Sequence, residues 1–201
     1  MKPSAALRLL PLVLLATACA SAPPPTLYLL TAKAPAAAAE TPRPAKQRVI
    51  ALGPVTVPDY LDRTDMVRRA TDDRLDVSDS ERWAETLRAG FQRVLVADLA
   101  NRLGPGDWVT GGGRGGLPDV ELPVDVESFE RDASGRVVLT ASWEIRPAAG
   151  DRTPLRQRKT YSRVPAPGDT ESQVRALSAN IDDLAADLAA GLGSGPGTGR
   201  K

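Results

Sequence analysis

The stretch VELPVDVESFERDASGRVVLTASWEI, residues 120–145, alternates apolar and polar side chains in two runs with a turn between them. In the first run Val120, Leu122, Val124 and Val126 oppose Glu121, Asp125 and Glu127. In the second, Val137, Leu139, Ala141, Trp143 and Ile145 oppose Val138, Thr140, Ser142 and Glu144. A period of two puts each set on one face of a strand. Asp132-Ala133-Ser134-Gly135 supplies the turn, so the stretch reads as a hairpin with one buried face.

The neighbouring segments extend this pattern. Leu155 to Val164 is a third strand made polar by Arg156, Gln157, Arg158 and Lys159, which suits an exposed edge. Upstream, Thr26 to Thr31 reads as a short strand, and Arg48 to Val57 as a strand that Gly53-Pro54 bends or bulges. Met66–Ala70 and Arg74–Val77 can form a hairpin across Thr71-Asp72-Asp73. Two segments have helical period. One is predicted to begin after Ser80 as N-cap with Glu81 in the first turn, to carry Trp83, Leu87, Phe91, Val94, Leu95 and Leu99 on one stripe, and to stop at Gly104-Pro105. The other spans Thr170 to Leu192, with Val174, Leu177, Ile181, Leu184 and Leu188 in line and Asp182, Asp183 and Asp187 largely off it. Strands and helices segregated in this way predict an α+β fold of two layers, a mostly antiparallel sheet packed against two amphipathic helices.

Residue inventory limits the chemistry. The 201 residues include no histidine and one cysteine, Cys19. A Ser-His-Asp or Cys-His nucleophile, a histidine-ligated metal and an intrachain disulfide are therefore impossible. A net charge of +1 creates no global field to gather nucleic acid. The basic patch Arg152, Arg156, Arg158 and Lys159 has only Tyr161 as an aromatic neighbour, which disfavours base stacking. The glycine run Gly111–Gly116 lacks the Gly-Lys-Ser/Thr of a phosphate loop and reads as a flexible connection. Asp59, Asp62 and Asp65 cluster without the spacing of a calcium loop, so no metal site and no cofactor is expected.

The N-terminus has Lys2 and Arg8 before an apolar run too short to span a bilayer, then Ala16-Thr17-Ala18-Cys19. This is an export signal over residues 1–18. Leu15-Ala16-Thr17-Ala18-Cys19 resembles the bacterial lipobox, which implies that Cys19 becomes the new N-terminus and carries an N-acyl diacylglycerol. The alternative is an ordinary cleaved signal that leaves a thiol behind. No aspartate follows Cys19, and the resemblance to bacterial sorting signals then implies the periplasmic face of the outer membrane. Lys2 and Arg8 leave with the signal, so 24 of the 26 basic residues remain against 25 acidic ones. Residues 19–25 read as a tether, 26–192 as one domain interrupted by an Ala/Pro linker at 32–46, and 193–201 as a disordered tail.

Ile50-Ala51-Leu52-Gly53-Pro54-Val55, then Val57-Pro58-Asp59-Tyr60-Leu61-Asp62-Arg63 and Met66-Val67-Arg68-Arg69, resemble the PqiC/YmbA family of auxiliary lipoproteins of MCE-type ABC transport systems. Leu27-Tyr28-Leu29-Leu30, Arg82-Trp83-Ala84-Glu85 and Arg93-Val94-Leu95 agree in order and spacing, while Thr86 stands where the family pattern has proline. The resemblance implies a non-enzymatic, lipid-anchored subunit that docks the MCE tunnel protein of an intermembrane (phospho)lipid transporter, in a homo-oligomeric ring. It implies no nucleic-acid partner. Carried onto this chain it makes Pro58, Asp59, Tyr60, Leu61, Asp62 and Arg63 the candidate partner-contact loop, with Tyr60 and Leu61 as apolar anchors. The same residues equally fit a structural corner, with Tyr60 in the core and Arg63 paired to Asp62 or Asp59. The competing reading of function is a stand-alone outer-membrane lipoprotein that binds a small ligand or a cell-envelope polymer. A carboxylate enzyme would need two acids facing across a groove, and no such pair stands out.

Overall fold

The computed structural model describes residues 23–35, 47–112, 117–148 and 153–193. Its elements are β1 (Thr26–Tyr28), β2 (Arg48–Thr56), β3 (Asp65–Thr71), β4 (Arg74–Trp83), α1 (Leu87–Arg102), β5 (Asp107–Thr110), β6 (Val120–Arg131), β7 (Val137–Pro147), β8 (Leu155–Arg163) and α2 (Thr170–Gly193). The strands form one mixed sheet, and both helices pack on one of its faces. This is the α+β, two-layer arrangement expected.

The long hairpin is the organising piece. β7 pairs antiparallel with β6 on one side and with β8 on the other. The second edge of β6 is shared: its start pairs parallel with β2, while Arg131 near its end pairs with Arg68 of β3. From β6 the sheet therefore forks into two arms, β2-β5 and β3-β4-β1. The antiparallel pairings carry the longest ladders, and the parallel ones join segments distant in sequence. β5, which the sequence reading left out, is a four-residue strand parallel to β2. So short a strand forms only because β2 offers it an edge.

Alternation along β6 breaks where the register shifts between Val126 and Ser128. An extra residue moves the later positions to the other face. Val120, Leu122, Val124 and Val126 thus reach the core together with Phe129, which a strict period of two would expose. Phe129 meets Phe91 of α1 edge to face, with ring centroids 5.3 Å apart and an interplanar angle of 89°. A second irregularity lies between Leu52 and Val55 of β2, as expected for Gly53-Pro54. A Cβ on Gly53 would stand 3.0 Å from the backbone nitrogen of Pro123, which explains the glycine.

The first helix begins later than its periodicity predicts. Ser80, Glu81 and Trp83 belong to β4, not to α1. Long-range pairing overrides the local cap signal, because residues 81–83 are held by β1 while Arg82 also registers with Asp65 of β3. Trp83 N–H donates to the Thr64 carbonyl at 2.6 Å and Ala84 N–H to that of Tyr28 at 2.8 Å. The actual N-cap is Thr86, whose hydroxyl accepts from Ala89 N–H at 3.4 Å. Ahead of α2 the cap is Asp169, whose Oδ1 accepts from Ser172 N–H at 2.6 Å. The core between helices and sheet contains Phe91, Val94, Leu95, Leu99, Ile181, Leu184 and Leu188, all fully buried.

Candidate functional site

The 58–63 loop leaves β2 and turns at once. The Pro58 carbonyl accepts from Leu61 N–H at 2.8 Å and from Asp62 N–H at 3.1 Å. Leu61 drops into the core at 2% exposure. Tyr60 is half-buried, and its hydroxyl donates to Glu130 at 3.1 Å while accepting from Arg69 Nη2 at 3.1 Å. Arg69 also donates from Nε to Glu130 at 2.9 Å, and its guanidinium lies 5.8 Å from the Tyr60 ring centre. Glu130 is 3% exposed, and Phe129 N–H completes its partners. Burial raises the Tyr60 hydroxyl pKa above its usual value, and the neighbouring Glu130 adds to the effect.

The remaining loop residues divide between two roles. Asp62 pairs with Arg88 of α1. Arg63 is held by Asp65 at 2.6 Å, rather than by Asp62 or Asp59, and Arg82 joins Asp65 at 3.3 Å. The Arg63 hydrogen bond leads the causes that hold the Asp65 carboxyl below its usual range. The loop is thus a corner built around a part-buried Tyr-Arg-Glu network, and Asp59 and Arg63 are its exposed residues. Sequence reading missed Arg69 and Glu130. For Glu130 the signal was a charged residue placed directly after an out-of-phase Phe129, which marks the bulge that buries it.

Cys19 lies outside the described residues, as do 1–22, the 36–46 part of the linker, 113–116 of the glycine run, and 194–201. The start of the linker segment is docked. Arg93 Nη2 donates to the Leu30 carbonyl at 2.9 Å and Ser178 Oγ accepts from Thr31 N–H at 3.1 Å. Asp98 Oδ1 accepts from Lys33 N–H at 2.7 Å, and Asn101 Nδ2 donates to the Lys33 carbonyl at 2.9 Å. Side chains of both helices thus strap residues 30–33 across the helical layer. Asp98 is 1% exposed and its Oδ2 has no hydrogen-bond partner among the described residues. Burial raises the pKa of this carboxyl, with nearby Asp182 acting in the same direction.

A broad concavity lies on the opposite, solvent-facing side of the sheet. It is an open trough of about 710 Å³ with Pro54 and Pro123 on its floor. Among its lining residues Arg146 and Arg156 meet Glu144 at 2.7 and 3.3 Å, while Arg158 reaches Glu127, outside the lining, at 2.6 Å. The Arg146 hydrogen bond holds Glu144 below the usual carboxylate range, so its charge is fixed at neutral pH. The surface is suited to contact.

Comparison with known proteins agrees with this architecture. A crystal structure of an uncharacterized protein superposes with a TM-score of 0.69 at 21% identity, covering 85% of this chain and 99% of its own. Protein XCC0632 from Xanthomonas campestris gives a TM-score of 0.61 at 17% identity, covering 81% of this chain and 92% of its own. At these identities the likeness concerns the fold. In sequence, the intermembrane transport lipoprotein PqiC of Escherichia coli (strain K12) is 31% identical over 96 residues, 48% of this chain and 50% of PqiC. PqiC of Shigella flexneri aligns with the same figures, so the chain spans about half the length of the curated relatives it matches. The profile of the ABC-type transport auxiliary lipoprotein component family matches residues 28–189, nearly the whole folded domain, and the chain belongs to that family.

Proposed function

We propose that the chain is a lipid-anchored, non-catalytic accessory subunit of an MCE-type intermembrane (phospho)lipid transport system. The observation that carries this reading is the alignment with two relatives named as intermembrane transport lipoproteins. An N-acyl diacylglycerol on Cys19 holds it at the periplasmic face of the outer membrane, a two-chain anchor or better being effectively stable. The domain docks the MCE protein by its surface and assembles with copies of itself in a ring. From the 58–63 loop, Asp59 and Arg63 are the exposed residues available to that partner, while Pro58, Tyr60, Leu61 and Asp62 hold the corner in shape. The lack of histidine and the pairing of the trough's Glu144 with Arg146 and Arg156 support a role without catalysis.

Affinity capture of the protein from detergent-solubilised envelopes tests the partner. Co-elution of an MCE-domain protein is expected; recovery of the chain alone in several detergents overturns the docking role. Cys19→Ser is expected to release the chain into the soluble periplasmic fraction, and its continued residence in the membrane overturns the anchor.

A further inference from the structure

Among the strand edges without a backbone partner in the described residues, two are long and lie on β8 and β4. β8 pairs only with β7, so Leu155–Arg163 presents one full edge. On β4 the neighbour β1 covers Glu81 to Trp83 alone, which leaves residues 74–80 as a second edge. The reason is covalent. Thr26 stands opposite Glu81, and the residues before it are Pro25, Pro24 and Pro23, which have no N–H to extend the ladder. Both strands expose most of their side chains on both faces, including Val77 and Leu155 at 43% and 40% exposure. A bare edge of this length is a template for another chain.

The two edges carry opposite charge. Residues 74–80 hold two aspartates and one arginine, with Asp72 and Asp73 in the turn just before them, while residues 155–163 hold three arginines and a lysine with no acid. Arg156 and Arg158 pair within the chain but stay 78% and 63% exposed, so guanidinium donors remain for a second carboxylate. Like edges repel and unlike edges attract, which disfavours a symmetric edge-to-edge dimer. We infer that a second copy of this chain pairs its 74–80 edge with the β8 edge of the first. Because the two patches differ, the contact is head to tail, and only a closed ring pairs both of these edges in every copy. This rests on the self-assembly proposed above and names the surface through which it occurs.

The test uses the chain carrying Cys19→Ser, which has no other cysteine. Val77→Cys and Lys159→Cys are prepared as separate proteins. Each sits at the middle of its edge, so the two positions face one another whichever way the strands run. A disulfide requires Cα atoms within about 7 Å. Under mild oxidation the mixture is expected to form the 77–159 disulfide and each variant alone to form none. Symmetric disulfides without the mixed product overturn the head-to-tail pairing. In a second arm, Asp76→Arg with Asp79→Arg is expected to abolish the oligomer seen by native mass spectrometry. Adding Arg156→Asp and Arg158→Asp to the same chain is expected to restore it, with circular dichroism reporting an unchanged fold. An oligomer that survives the reversal and gives no mixed disulfide overturns these edges but leaves self-assembly standing. A chain that is monomeric even without the edge substitutions overturns both.

Discussion

Arg69→Met isolates the network under the 58–63 corner. It removes the guanidinium that reaches Glu130 at 2.8 Å and leaves a carboxylate of 3% side-chain exposure with only the Tyr60 hydroxyl and the Phe129 N–H. Breaking a buried pair from one side costs about 3 to 5 kcal/mol. Arg69 is itself 30% exposed, so water can reach the vacated site and the lower value, about 3 kcal/mol, is the expectation. For a domain of this size that is a fall in Tm of about 6–12 °C. Removing both charges, in Arg69→Met/Glu130→Met, should cost less than the single change, about 1–2 kcal/mol, because no orphan charge remains. Urea unfolding of the Cys19→Ser protein, followed by fluorescence of Trp83, Trp108 and Trp143, measures all three terms of the cycle. A stability loss below about 0.5 kcal/mol for Arg69→Met, or a double variant worse than the sum of the singles, would refute the reasoning.

Three further expectations follow from particular contacts. Phe91→Ala removes a fully buried ring packed on Phe129 and should cost about 3–5 kcal/mol, read from the same urea midpoints. Gly53→Ala drives a Cβ against the backbone of Pro123, which cannot move as a side-chain tip could, and should cost about 1–3 kcal/mol as a drop in Tm by calorimetry. Asp98 has its folded-state pKa raised by burial above its ordinary value, so charging it opposes folding. The wild-type penalty is absent below the unfolded pKa, grows as pH rises through the window above it, and is then constant. The stability of Asp98→Asn minus that of wild type should therefore increase with pH across that window. A difference that is flat or falling in paired urea titrations contradicts the burial of a raised carboxyl.

Much of the architecture was legible because it is written in short-range periodicity. The alternation of Val120–Val126 and Val137–Ile145, the Gly53-Pro54 interruption and the stripe from Val174 to Leu188 each specify an element together with its buried face. Other features were not legible because they depend on residues far away in the chain. Ser80-Glu81 has a good local cap signal, yet residues 81–83 become strand because β1 and β3 meet them there. β5 has too few residues to be a strand without the edge of β2.

The candidate loop divides along the same line. Its corner-forming residue types were readable, and Tyr60 was placed inward in one of the two readings. Arg63 took a partner two residues on, Asp65, because the turn at Pro58 folds the loop away from Asp59. Sequence alone determined the inventory of this protein: no histidine, one cysteine at position 19, and a third strand, Leu155 to Val164, made polar by basic side chains. Only the tertiary structure decided which charges are buried and which edges stay open. Burial and pairing depend on the register of strands remote in sequence, and that register is set by the whole core at once.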